Sequence, residues 1–119
     1  MTLLIVEATA SMCRLIRALI ETLPASVVEC RGVRDAMPIC RALQPDWVIV
    51  DLDLTSGDAL VAMREIHRSH PMIGIAALGE DDLRLRDAAE QAGARVYLAK
   101  EHLLDLPRLL GAERPWRHT

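Results

Sequence analysis

The sequence predicts an α/β fold: a doubly wound parallel sheet of five strands with helices on both faces. Three observations predict it. Five short strand-like runs alternate with helix-like stretches along the chain, the first and third runs are apolar throughout, and the single helices between runs leave no room for hairpins. A strand that is apolar on both faces needs cover on both, and right-handed β-α-β crossovers supply it. At 119 residues the chain fits one domain, large enough to bury about two-thirds of the surface it exposes when unfolded.

The first strand is residues 3–6, "LLIV", ending on Glu7 and then Ala8. Met12, Leu15, Ile16, Leu19, Ile20 and Leu23 follow at helical spacing, with Arg14, Arg17 and Glu21 on the opposite face. The second strand is 26–30. Ala36, Ile39, Cys40 and Leu43 mark the second helix, and Pro38 predicts a late start with Asp35 as N-cap, since a first-turn proline removes only an amide that lacks a helical partner. The third strand is 47–50. A third helix over 58–68 turns Leu60, Met63 and Ile66 inward and stops before Pro71; the fourth strand is 73–77. A fourth helix over 81–92 turns Leu85, Ala88, Ala89 and Ala92 inward and ends at Gly93, before a fifth strand at 96–98. Pro107, with Asp105 as a cap, allows only a short last helix over 106–112. The domain is therefore 1–112, and 113–119 reads as a loose tail.

Composition excludes several classes. The net charge is -3, with acids and bases interspersed, so no basic footprint points to nucleic acid or an anionic membrane. No apolar run approaches the roughly 20 residues that span a bilayer, and no positively charged leader precedes the first strand. Cys13, Cys30 and Cys40 are an odd set without CxxC spacing and read as buried thiols of a reducing compartment. The expected location is the cytoplasm.

In open sheets of this kind ligands gather at the carboxyl ends of the strands, where the strand order reverses. Glu7 ends strand one, Asp51 ends strand three with Asp53 two residues on, and Lys100 ends strand five. If the strand order is 2-1-3-4-5, strands one and three are neighbours and strand five lies two places further, so Glu7 and Asp51 converge and Lys100 reaches in. Two acids and a lysine suit a hard divalent cation and a phosphoryl group, and a strand-end aspartate is a competent phosphoryl acceptor. Each residue alone reads as an ordinary solvated charge, and Asp53 and Asp58 as turn and cap residues around Thr55-Ser56-Gly57. Their joint placement outweighs that.

"LLIVEA", "PDWVIVDLDL" and "AGARVYLAK", with the spacing between them, resemble the receiver domain of bacterial two-component response regulators, a flavodoxin-like fold, over residues 2–112. The resemblance implies Asp51 as acceptor of a phosphoryl group from a sensor histidine kinase or phosphotransfer protein, and Lys100 as the phosphoryl contact. It implies magnesium held by Glu7, Asp51 and the backbone carbonyl of Asp53, and Tyr97 as the aromatic that changes rotamer on activation. It also implies a signalling domain rather than an enzyme, with an effector protein or a second copy of the chain as candidates for its output contact.

The chain departs from the family at three places. Ala8 stands where the family keeps a second acid, Thr55 replaces a usual proline, and strand four carries no hydroxyl. The residue at the hydroxyl position is Leu78 counting back from Lys100, or Ala76 from the local "ALGED" text. One lost carboxylate weakens magnesium rather than abolishing it, since metal-site contacts are worth about 10- to 100-fold each. The missing hydroxyl leaves a phosphoryl group little leverage over the strand-four loop, so weak or absent switching is expected. The alternative is a phosphorylation-independent pseudo-receiver acting as a protein-interaction module. A flavodoxin-like cofactor binder is disfavoured, because "ATAS" is a poor phosphate loop.

Overall fold

The computed structural model describes residues 1–53 and 56–112. Thr55 and the expected tail 113–119 lie outside the described residues. The elements run β1 (Thr2–Val6), α1 (Ala10–Ile20), β2 (Ser26–Cys30), α2 (Val33–Leu43), β3 (Trp47–Asp51), α3 (Ser56–Ser69), β4 (Gly74–Gly79), α4 (Leu83–Gln91) and β5 (Val96–Ala99). A 3-10 segment (Lys100–Asp105) then leads into α5 (Leu106–Ala112). All strand pairs are parallel, as the alternation predicts, and the order is β2-β1-β3-β4-β5, the one under which Glu7 and Asp51 converge. Among the described residues no helix is long and apolar enough to cross a membrane.

The central strands are buried on both faces. Leu4, Val6, Val48, Val50, Ile75 and Ala77 pack one way, with Ala59, Met63 and Ile66 of α3 and Ala89 of α4. Leu3, Ile5, Trp47, Ile49, Ala76 and Leu78 pack the other way, with Cys13, Ile16 and Ile20 of α1 and Leu106 and Leu110 of α5. At the amino end of the sheet the Arg95 guanidinium lies 5.3 Å from the Trp47 ring centroid.

Five details correct the sequence reading. The second helix starts at Val33 with Gly32 as N-cap, not at Asp35, so Pro38 sits in the second turn and deprives the Arg34 carbonyl of its helical donor. The break is tolerated because Arg34 and Pro38 face solvent, where water takes the carbonyl. In α1 the buried ridge is Cys13, Ile16 and Ile20, whereas Leu15 is 46% exposed. The third helix begins at Ser56, which puts Asp58 in its first turn, and the fourth begins at Leu83 behind an Asp82 cap. The fourth strand is Gly74–Gly79 rather than 73–77: Ile73 is still in a turn, its amide bonded to the His70 carbonyl. Gly93, with φ of +107°, follows the C-cap of α4 in a conformation that side chains resist, and the last helix has the bounds that Pro107 predicts.

Candidate functional site

Strand register builds the site. Val6 pairs with Val50, so Glu7 and Asp51 stand one step beyond, side by side at the carboxyl ends of β1 and β3. Both acids are buried, at 2% and 4% exposure, although neither lies in a hydrophobic core. Asp51 pairs in turn with Leu78, and Leu78 with Leu98 on β5. Lys100 follows two residues past Leu98. Its long side chain folds back so that Nζ lies 2.8 Å from Asp51 Oδ2 and 2.8 Å from Asp53 Oδ2. The Asp53 amide donates to Asp51 Oδ1 at 3.0 Å, which fixes the remaining carboxylate oxygen.

Glu7 is held from its own loop. Its amide continues the sheet ladder to the Cys30 carbonyl at 3.0 Å, its Oε2 accepts from the Ala8 amide at 3.0 Å, and its Oε1 accepts from the Thr9 hydroxyl at 3.3 Å. Thr9 also caps α1 by accepting from the Met12 amide at 3.4 Å, which leaves its hydroxyl proton free to point at Glu7. Burial, and then the Asp51 carboxylate beside it, push the Glu7 carboxyl up from 4.5 to about 7, against the opposing bonds from Thr9 and Ala8. Burial lowers the Lys100 ammonium, but its bonds to Asp51 and Asp53 outweigh that and leave it raised. A cavity of about 240 Å³ opens between Glu7, Ala8, Thr9, Asp51, Asp53 and Lys100.

The structure thus brings together four of the five residues singled out by sequence: Glu7, Asp51, Asp53 and Lys100. The fifth does not join them. Tyr97 lies under α4, 8% exposed, its hydroxyl donating to the Glu80 carbonyl. The residue beside Asp51 on β4 is Leu78, fully buried, while Ala76 pairs with Ile49 two residues deeper. Among the described residues no group of three His, Cys, Asp or Glu side chains is arranged to hold a metal ion. Sequence reasoning missed Thr9, although a threonine just before a helix pattern is an N-cap signal.

A doubly wound five-stranded parallel sheet with two strand-end acids and a lysine in its switch-point crevice is of the flavodoxin-like class. The family described as response regulator receiver domain matches residues 3–111, and the chain belongs to it; it is a two-component signalling domain. No curated protein matches the sequence. Among solved structures, the Francisella response regulator 1452 receiver domain is similar with a TM-score of 0.82 at 12% identity, covering 93% of each chain. The Salmonella typhimurium RcsB response regulator gives 0.84 at 22% identity, over 94% of this chain and 60% of that one. A response regulator from Thermotoga maritima gives 0.82 at 21% identity, over 94% and 98%. At such identities the likeness establishes the fold alone.

Proposed function

We propose that this domain accepts a phosphoryl group on Asp51 from a phosphohistidine of a sensor histidine kinase or phosphotransfer protein. The observation that carries the reading is the Lys100 ammonium 2.8 Å from a buried Asp51 carboxylate, with the buried Glu7 carboxyl beside it at the end of the neighbouring strand. An Asp51 oxygen attacks phosphorus and a P–O bond forms as the P–N bond to histidine breaks; the imidazole keeps the bonding pair and is protonated. Lys100 balances the charge of the group that arrives, and the Asp53 amide orients the nucleophile. The group stays on the domain's own side chain, so the role is signalling rather than turnover. Three free, buried cysteines support a cytoplasmic setting, and residues 1–112 form the working domain.

The donor set suits magnesium. Two adjacent buried acids, one of them pushed up to about 7, form a site in want of a hard cation. Glu7, Asp51 and the Asp53 carbonyl would hold it, with no carboxylate from Ala8, and when bound it neutralises phosphoryl charge. Incubation with a small phosphodonor and magnesium, read by intact mass, should add one phosphoryl group to the wild type and none to Asp51→Asn. No adduct with any donor or kinase would refute the reading.

One observation favours a second reading, the phosphorylation-independent interaction module. Leu78 faces Asp51 from β4 with a purely apolar side chain, so a phosphoryl group finds no hydroxyl there to pull on. That reading predicts partner binding unchanged by Asp51→Asn.

A further inference from the structure

The groove between α4, β5 and the 3-10 segment has a volume of about 370 Å³, and Tyr97 lines it beside Asp82, Leu83, Arg86 and His102. Leu83 at its rim is 74% exposed. Tyr97 is on an edge strand, yet its ring is almost wholly buried and packs with the core formed by α3 and α4. Three contacts hold it there. The hydroxyl donates to the Glu80 carbonyl, the Arg86 guanidinium covers the ring at 5.7 Å from its centroid, and the space for the hydroxyl end exists because residue 79 has no side chain. A methyl group on Gly79 would stand 2.6 Å from Tyr97 Oη and 2.9 Å from Leu85 Cδ2, closer than packed atoms approach. Burial, and after it the Asp53 and Asp82 carboxylates, raise the Tyr97 phenol above its ordinary value.

A phosphoryl group could move Tyr97 only through a contact that differs between inward and outward positions of the ring. Leu78, between Asp51 and the strand that carries Tyr97, offers no hydrogen bond for such a contact. The inward seat is meanwhile complete without any phosphoryl group. We propose that Tyr97 is a fixed wall of this groove, locked inward by the slot at Gly79 and the Glu80 carbonyl, so that the α4–β5 surface keeps one shape whether or not Asp51 is phosphorylated. The lock itself stands on these contacts alone; its independence of phosphate rests on the function proposed above.

Tyr97 is the chain's one tyrosine, so the full chain labelled with ring-13C tyrosine reports on it without assignment. A soluble gadolinium chelate should leave the wild-type ring signal sharp. Beryllofluoride with magnesium, a mimic of the phosphoryl group, should leave its position unchanged. In Gly79→Ala the ring should lose its seat and be broadened by the chelate. Broadening of the wild-type ring, a new ring position on adding beryllofluoride, or a ring still protected in Gly79→Ala would each overturn the proposal. If Gly79→Ala fails to fold, the two wild-type measurements decide. If intact mass shows that Asp51 takes no phosphoryl group, the proposed function fails, while chelate protection and its loss in Gly79→Ala still test the lock.

Discussion

Replacing Glu7 by glutamine should stabilise the metal-free protein at alkaline pH and leave it nearly unchanged in acid. Glu7 is 2% exposed and abuts Asp51, and its carboxyl is pushed up from 4.5 to about 7. The folded state therefore holds this proton more tightly than the unfolded chain does. The stability that comes with it is fully present below pH 4.5 and is lost as pH rises through about 7. At about 1.4 kcal/mol per pH unit, the loss is on the order of 3 kcal/mol by pH 8. Glutamine keeps an oxygen for the Ala8 amide and brings no negative charge beside Asp51, so Glu7→Gln should recover much of that loss. Urea denaturation followed by far-UV circular dichroism, in chelator at pH 5 and pH 8, measures it. If the variant gains no more at pH 8 than at pH 5, the two carboxylates do not oppose each other and this account of the site is wrong.

Lys100→Met should slow phosphoryl uptake from a small donor by roughly 100-fold, since it removes the ammonium bonded to Asp51; timed intact-mass spectra give the rate, and an unchanged rate would remove Lys100 from the chemistry. Gly93→Ala forces a side chain into φ of +107° and within 2.5 Å of the His67 ring. It should cost roughly 1 to 3 kcal/mol in urea denaturation. Burial pushes Cys13 and Cys40 up to about 11, which leaves about one thiolate in a thousand at pH 8. A disulfide reagent should therefore label them no faster than the protein unfolds, and prompt labelling of the native state would contradict their burial.

The order of elements was legible because short apolar runs and helix-spaced patterns alternate without overlap, and Pro107 with Asp105 marks the start of the last helix. The start of the second helix was not. Asp35 ahead of Pro38 imitates a helix start, but Gly32 opens the helix earlier and water repairs the break that Pro38 makes on the exposed side. In the fourth strand "GIAALG" is buried throughout, so no alternation marks which residue stands beside Asp51; only register with β3 singles out Leu78. At the site, charges at strand ends announced Glu7, Asp51 and Lys100, since a sheet of known order converts chain position into proximity. The seat of Tyr97 left no trace of that kind. It depends on what Gly79 lacks, and a missing side chain has no pattern.

The sheet is one strand thick, and its strands turn alternate residues to opposite layers. By that alternation Asp51 and Leu78 look toward α1 and α5, whereas Tyr97 belongs to the layer beneath α3 and α4. The strand-end acids and the Tyr97 groove thus occupy separate compartments divided by the peptide backbone of β4 and β5. A substitution that reshapes the groove beneath α4 meets the acids only across that partition.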